Sequence, residues 1–510
     1  MFRWFHTALK RAEERVAAKD RGLERPPHLA IGLANIPGAI RTVEGFPQPQ
    51  WSIIRYELEK RFTPQQAEAY WHWASVEWLD LLRRTLGSTF HLDESENFLL
   101  LTSKSLNDRR AFSRKSEFAL ARLREHFGDA ARKTGRGKHV IIRMDDEDSY
   151  YRYVSAFHHE GEHAPSGAVF LNRGYRHILL KQSQSENLEL AHQLTHCVLA
   201  ALPLPLWLGE GLAQLMERIA AGESRIPPAE IWEEHRRYWT KETIREFWSG
   251  ASFHKTESQK LSYSLAQIFA ELLHADYREK FSAFICRARY EDAGQKAAEA
   301  HLGITLGALA ATFLGAGQWE PTLPKPAPPP AISYAKQSLI REFLCAGRVA
   351  DARKVWEDAI VKAANVNDQA EILNSVAAMA IMNDDLIAFV PEALELCERA
   401  CGLMPGDAGI PFTRACLLVS GQRHAEAAEA LRGIVTQTKE NDWRGVAYYY
   451  LALAEFGLER PVEAEAAFQE ACALAPKYHI RLRVGRALHG ALAEDEYWME
   501  TPDAEAIERE

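Results

Sequence analysis

Two histidines and a glutamate are spaced so that they could hold one metal ion. His192 and His196 stand four residues apart in a stretch with helical periodicity, and Glu210 follows fourteen residues later. Side chains at positions i and i+4 share one face of a helix, so the two imidazoles can converge on one ion. A catalytic zinc site has three protein ligands of this kind and keeps a fourth position for water. The spacing therefore predicts a Zn²⁺ site that could activate water.

Two helices must position these three ligands. The first is predicted to begin at a capping box formed by Ser183 and Glu186 and to end near Pro203. The second begins at the segment Trp-Leu-Gly-Glu-Gly, which contains Glu210. Apolar residues at helical spacing predict the buried faces, with Leu190, Leu194, Val198 and Ala201 on the first helix and Leu208, Leu212, Leu215 and Ile219 on the second.

The segment HQLTH, followed by LWLGEGLAQ, resembles the HExxH…WLNEGxA signature of the gluzincin metallopeptidases. The resemblance is closest to compact bacterial gluzincin-like domains that are joined to tetratricopeptide repeats. It implies an α+β metallopeptidase domain with zinc ligands at His192, His196 and Glu210. It also implies that the strand GAVFLN borders the cleft and pairs with an extended peptide. Gly209 stands where the family has asparagine, but this departure touches no ligand.

Another departure does touch the chemistry. Gln193 follows the first histidine, where the family has a glutamate that takes a proton from zinc-bound water and passes it to the leaving amine. An amide has the shape of that carboxylate without its basicity, so zinc binding is expected to survive and turnover to be impaired. Two interpretations stay open. The intact ligands favour an engineered, inactivated form of an active peptidase; the alternative is a natural pseudopeptidase that acts as a non-catalytic adaptor.

Other side chains are candidates for supporting roles around the metal. Many gluzincins place a residue that stabilises the tetrahedral oxyanion at the distance where this chain has Tyr263, and His254 is the second choice. Glu189 lies one turn before His192 and could serve as a substitute base or orient a histidine. The histidine-rich segment 157–163, FHHEGEH, is interpreted as a loop tip near the cleft.

The pattern along the chain predicts several domains. Residues 51–86 read as helices with four tryptophans, and the following region alternates short apolar strands with helices, as in an α+β fold. The segment PTLPKPAPPPA is a stiff, proline-rich spacer. The predicted parts are an N-terminal helical region (1–86), a gluzincin-like domain (87–320), a linker (321–332), an all-α solenoid (333–492) and an acidic C-terminal tail (493–510).

Beyond the linker the sequence repeats a pattern of small and apolar residues. An alanine is followed by a large apolar residue four positions later and by a small or apolar residue three further on, as in Ala352, Trp356 and Ala359. The pattern recurs at Ala393, Ala427 and Ala464, with spacings of 41, 34 and 37 residues. It resembles the tetratricopeptide repeat, whose period is about 34 residues. This predicts a helical solenoid that recruits a protein substrate or partner.

Composition narrows the classes of function. The 510 residues carry a net charge of −9, which argues against general nucleic-acid binding. Seven cysteines without a CxxC pair are typical of reduced thiols in the cytoplasm, and no apolar run approaches the length of a membrane span. We therefore expect a cytoplasmic zinc-dependent endopeptidase that recruits its substrate or partner through the repeats, with the adaptor as the alternative.

Overall fold

The computed structural model describes residues 32–132, 137–157, 167–172, 175–222, 229–323, 330–381, 383–438 and 441–474. Contacts divide the chain into two compact units, whose described parts are residues 32–323 and residues 330–474. The division falls within the stretch predicted as a linker. The histidine-rich segment from residue 158 onward, the end of the predicted solenoid and the acidic tail lie outside the described residues.

The first unit combines strands and helices. Its strands are β1 (Ile40–Val43), β2 (Phe46–Pro49), β3 (His91–Glu94), β4 (Phe98–Thr102), β5 (His139–Met144), β6 (Ala168–Leu171) and β7 (His177–Lys181). Its helices are α1 (Trp51–Arg61), α2 (Pro64–Leu86), α3 (Leu106–Phe127), α4 (Glu147–Ser155), α5 (Glu186–Leu199), α6 (Leu206–Ala221), α7 (Ala229–Tyr238), α8 (Thr243–Ser249), α9 (Gln259–Asp276), α10 (Arg278–Arg287), α11 (Gln295–Ala297) and α12 (Leu306–Leu314).

One mixed sheet organises this unit. Its strand order is β3-β4-β5-β7-β6, with β1 and β2 forming a separate hairpin. The three central strands run parallel, whereas β3 and β6 pair antiparallel at the two edges. Every residue of β4 and β5 is buried, as expected for apolar strands that are covered on both faces. The antiparallel edge strand β6 contacts α5, the helix that carries both histidines.

The N-terminal helices pack directly on the sheet. The Trp51 ring lies 5.1 Å from Trp71 and 5.1 Å from Tyr175, and Trp78 lies 5.2 Å from His177, the first residue of β7. Two helices alone could not bury such large side chains, so the sheet supplies the other wall. The described residues before position 86 therefore belong to the same compact unit as the sheet, and the contacts place no domain boundary at residue 86.

The second unit is entirely helical in its described residues. Its helices are α13 (Tyr334–Cys345), α14 (Val349–Val361), α15 (Val366–Ala378), α16 (Val390–Leu403), α17 (Gly409–Ser420), α18 (His424–Gln437), α19 (Asn441–Gly457) and α20 (Pro461–Leu474). Each helix contacts the next, and α13, α15, α17 and α19 also contact one another in sequence. The repeating alanines Ala352, Ala393, Ala427 and Ala464 are buried on α14, α16, α18 and α20. The unit is thus a stack of helix pairs, in which small residues allow close approach.

Within the described residues, no single helix is long and apolar enough to cross a membrane. One bent pair, Gln295–Leu302 followed by Leu306–Leu314 at 89°, passes the same test of length and composition. Leu302, Leu306 and Phe313 of this pair are buried in the core of the first unit.

Candidate metal centre

Helix α5 begins at Glu186, but the predicted capping box does not form. The hydroxyls of Ser183 and Ser185 both donate to the Glu189 carboxylate, at 2.7 and 2.8 Å. Glu186 instead pairs with Arg143 of β5, whose Nη2 lies 2.9 Å from Oε2. The capping box was therefore wrong, because the guanidinium takes the carboxylate that would have reached back to the helix start. This pair ties the start of α5 to the central sheet.

The buried faces of α5 and α6 follow the predicted periodicity with two exceptions, one of which is Ile219, only partly buried at the edge of the cluster. Leu190, Leu194 and Val198 of α5 and Leu208, Leu212 and Leu215 of α6 are buried in one cluster. Ala201 is exposed, because α5 ends at Leu199 and the position no longer belongs to a helix. The packed faces hold α5 and α6 together. The three predicted ligands are not part of this buried cluster, and they lie together where the two helices meet.

The three predicted ligands meet at one point. Nε2 of His192 lies 3.0 Å from Nε2 of His196, and Oε2 of Glu210 lies 3.7 Å and 3.6 Å from these two atoms. Bonds of about 2.0–2.2 Å to a tetrahedral ion place its ligand atoms roughly 3.3–3.6 Å apart. No other group of three such side chains lies this close together in the described part of the chain. The donor set, two imidazoles and a carboxylate, fits Zn²⁺.

The environment keeps the carboxylate of the centre ionised. Burial by itself raises the pKa of Glu210, whose side chain is 13% exposed. The hydrogen bond with His196 and the electrostatic interactions with His196, His192 and His254 outweigh burial and hold the pKa below its usual value. A metal ion binds the deprotonated form of each ligand, so Glu210 is ready to coordinate at neutral pH.

The centre contains a second carboxylate, which the sequence pattern did not predict. Oε1 of Glu217 is within hydrogen-bonding distance of Nδ1 of His192. Nδ1 then carries the proton and donates it, which leaves the Nε2 lone pair for the ion. Glu189, considered for this role, accepts hydrogen bonds from two serines instead. The available signal was the spacing of seven residues between Glu210 and Glu217, which places both on one face of α6.

Gln193 is a residue of α5, and its side chain contacts the edge strand of the sheet. Its Nε2 donates a hydrogen bond of 3.3 Å to the carbonyl oxygen of Ala168, the first residue of β6. The strand GAVFLN is therefore next to residue 193. An ionised glutamate could not make this bond, because a carboxylate has no N–H to donate.

Tyr263 and His254 both lie within electrostatic range of Glu210. Burial, with a contribution from the negative charge of Glu210, raises the pKa of Tyr263 to about 12. Its hydroxyl is therefore neutral at pH 7 and can donate a hydrogen bond. His254 ends the short 3₁₀ helix Ala251–His254 and is exposed, and its electrostatic interaction with Glu210 helps to lower the pKa of that carboxylate.

The two glycines beside Glu210 have different roles. A Cβ atom on Gly211 would overlap the carbonyl oxygen of Ala266 on α9, so α6 and α9 can pack closely only because this position lacks a side chain. A Cβ on Gly209 would have no atom within 4 Å. The family's asparagine therefore has room at Gly209. The fully buried Trp207, whose Nε1 donates to the Ala293 carbonyl at 2.9 Å, anchors the start of this segment.

This difference gives a matched pair of variants. Gly211→Ala is expected to lower the free energy of unfolding by about 1–3 kcal/mol, because the new methyl group forces α6 away from α9. Gly209→Ala is expected to raise it by up to about 1 kcal/mol, since alanine favours the helix and meets open space. Urea denaturation of both proteins measures the effects. Equal stability of the two variants would contradict the close packing at Gly211.

A serine–histidine pair elsewhere in the unit is not arranged for nucleophilic catalysis. Nε1 of Trp239 donates to Nδ1 of His235 at 2.9 Å, and Nε2 of His235 lies 3.0 Å from Oγ of Ser264. Nδ1 is thus an acceptor, so in the neutral ring the proton resides on Nε2 and is donated to the serine. Burial lowers the pKa of His235 to about 4, which keeps the ring neutral. This histidine cannot take the serine proton.

Comparison with models of known protein families, with curated proteins and with solved structures found no match. The interpretation of the centre therefore depends on its geometry. Two packed helices supply three converging ligands, a carboxylate orients one of them, and an edge strand and a neutral tyrosine lie nearby. These features define a candidate three-ligand metal centre beside β6, the last strand of the sheet in the described residues.

Proposed function

We propose that this chain is of the zinc endopeptidase type, that it recruits a protein substrate or partner through its helical repeats, and that Gln193 impairs its catalysis. The observation that carries the proposal is the convergence of His192, His196 and Glu210 between α5 and α6, with Glu217 behind His192. A cytoplasmic location is part of the proposal, and it is supported by seven cysteines for which the described residues contain no disulfide.

The residues around the centre suit amide hydrolysis except at one position. A zinc ion held there supplies Lewis acidity towards water and a carbonyl oxygen. The neutral hydroxyl of Tyr263 can donate a hydrogen bond to the oxygen that becomes negative in the tetrahedral intermediate. Gln193 can hold a water molecule through its amide but cannot remove a proton from it. The chain therefore retains binding and polarising groups while lacking the general base.

The sheet edge supports an extended peptide as the substrate. Lys181 donates its backbone N–H to the Gly167 carbonyl at 2.7 Å. Every second residue from Gly167 onward therefore makes its backbone hydrogen bonds with β7. Phe170 falls between these pairs and directs its N–H and C=O away from β7. A peptide that pairs with these groups would lie beside residue 193. Recognition through backbone hydrogen bonds needs no free terminus, which favours an endopeptidase.

The helix pairs of the second unit supply a surface suited to a protein partner. The Phe412 ring of α17 lies 5.4 Å from Trp443 and 6.0 Å from Tyr450, both on α19. Trp443 is 50% exposed although tryptophan usually gains much from burial. Exposed aromatic side chains are frequent anchors in protein interfaces. Together with the repeat pattern, this supports recruitment by a tetratricopeptide-type solenoid.

Metal analysis tests the proposed centre directly. Purified protein is expected to contain about one zinc ion per chain, as for a single three-ligand site. His192→Ala should lose most of this zinc, whereas Gln193→Glu should retain it. Glu189→Gln is the matched control, because this carboxylate lies on the same helix and binds two serines instead of the ion. A wild-type chain that remains metal-free in excess zinc would refute the centre.

A second candidate function, a non-catalytic adaptor, is favoured by one contact. The Gln193 amide donates to the Ala168 carbonyl, which an ionised glutamate at this position could not do. In this alternative, zinc stabilises a binding module and glutamine is the natural residue. The residue at position 193 in the natural gene discriminates between the two functions: glutamate supports the peptidase, and glutamine supports the adaptor.

A further inference from the structure

One side of α3 carries positive charge and an exposed aromatic ring. Residues 104–138 contain eleven lysines and arginines against four acidic residues, so this region is basic although the whole chain has a net charge of −9. The apolar residues of α3 are buried along one side of the helix, as expected for an amphipathic helix on a core. Arg110, Arg114, Lys115 and Phe118 are exposed on the other side.

Phe118 is surrounded by cations on the surface of the helix. Its neighbours at positions i−4, i−3 and i+4 are Arg114, Lys115 and Arg122. The Phe118 side chain is 60% exposed, although burying a phenylalanine is strongly favourable. An apolar ring within a basic helix face is the combination by which helices bind to the interface of an anionic bilayer. Arg110, Arg114, Lys115, Phe118 and Arg122 together form the α3 basic face.

The basic side chains of α3 differ in whether a carboxylate neutralises them. Arg109 and Arg122 each have a carboxylate partner, at 3.2 Å and 2.6 Å. Among the described residues, Arg110, Arg114 and Lys115 form no ion pair, and all three are exposed. Their charges are therefore available to an external anionic surface.

We propose that the α3 basic face binds an anionic membrane surface. Arg110, Arg114 and Lys115 interact with the lipid headgroups, and Phe118 enters the boundary between headgroups and acyl chains. Duplex nucleic acid would supply phosphates but no apolar layer for this ring. The exposed face of a single helix is convex, so it fits a flat bilayer better than it encloses an acidic peptide. This inference goes beyond the proposed function and is independent of the metal centre, since the two share no residue.

Co-sedimentation of the full chain with vesicles tests the proposal. Vesicles made of phosphatidylcholine and phosphatidylserine in equal parts are compared with vesicles of phosphatidylcholine alone. The chain is expected to bind the anionic vesicles at least about tenfold more tightly, because each cation near such a surface strengthens binding roughly fivefold. Binding should fall when the salt concentration is raised from about 0.1 M to about 1 M, since the range of the attraction shortens from about 10 Å to about 3 Å.

Substitutions assign this binding to α3. Arg114→Gln combined with Lys115→Gln is expected to weaken binding to the anionic vesicles by about tenfold to thirtyfold. Arg353→Gln combined with Arg399→Gln is the matched control, because it changes the net charge equally at exposed positions of the second unit and should have no effect. Phe118→Ser leaves the charge unchanged and should weaken binding by about tenfold. Phe118→Trp should bind at least as tightly as the wild type, because tryptophan favours the membrane interface.

Three outcomes would overturn the proposal. The first is equal binding of the wild-type chain to the two kinds of vesicle. The second is wild-type affinity for anionic vesicles in both the Arg114/Lys115 double variant and Phe118→Ser, with thermal unfolding showing that each variant is folded. The third is tighter binding to duplex DNA of the same phosphate concentration, unaffected by Phe118→Ser, which would assign the α3 basic face to nucleic acid instead. Weaker binding to DNA than to the anionic vesicles supports the membrane.

Discussion

Gln193→Glu is expected to raise the rate of peptide cleavage by about two to four orders of magnitude over the chain as written, the usual contribution of a positioned acid–base group. The two side chains have nearly the same volume, so the α5 backbone and the three ligands should not move. The amide hydrogen bond to Ala168 is lost on substitution, because the carboxylate would face a carbonyl oxygen. The carboxylate is then available to remove a proton from water held near His192 and His196.

The rate comparison needs a peptide library or the natural partner, both forms of the protein and a chelator. Gln193→Ala is the matched control, because it also breaks the bond to Ala168 yet supplies no base, so it should remain as slow as the chain as written. Glu189→Gln combined with Gln193→Glu should cleave as fast as Gln193→Glu alone. If both forms bind zinc and peptide but neither cleaves, the adaptor gains support. Equally fast cleavage by both would show that another residue is the base.

Glu217→Ala is expected to reduce zinc affinity by about tenfold to a hundredfold, the usual effect of removing a group that orients a ligand histidine. Without this carboxylate, nothing in the described structure holds the proton of His192 on Nδ1, and the ring can rotate or change tautomer. Glu217→Gln retains an oxygen that can accept from Nδ1 while losing the charge, so it should have an intermediate affinity. Competition against a chromogenic chelator measures these affinities.

Two comparisons separate orientation of the histidine from general destabilisation. The unfolding midpoint of each metal-free variant should remain close to that of the metal-free wild type, since Glu217 is partly exposed. Glu189→Ala, which removes a carboxylate from the neighbouring helix, should leave zinc affinity unchanged. If Glu217→Ala bound zinc as tightly as the wild type, some other group would have to orient His192.

Local periodicity was enough to place the two histidines of the candidate centre on one helix face, whereas Glu210 was chosen from the segment Trp-Leu-Gly-Glu-Gly and its resemblance to the gluzincin signature. Residues four apart on a helix must share a face, so the sequence alone placed His192 beside His196 without knowledge of the rest of the chain. The alanine-centred repeat predicted helix pairs for a similar reason, and its alanines are buried in the structure. The identity of residue 193 likewise limits its chemistry in any fold, because an amide cannot act as a base at neutral pH.

Contacts between distant elements were decided only by the tertiary structure. Glu186 could have capped its own helix, but it pairs with Arg143, which the sheet brings to the start of α5. Glu217 orients His192 because the crossing of α5 and α6 brings a residue 25 positions away into hydrogen-bonding distance. Gly211 is required because α9 packs against α6 there. Periodicity specifies which face of a helix is buried, but the partner of a polar side chain depends on how whole helices and sheets pack.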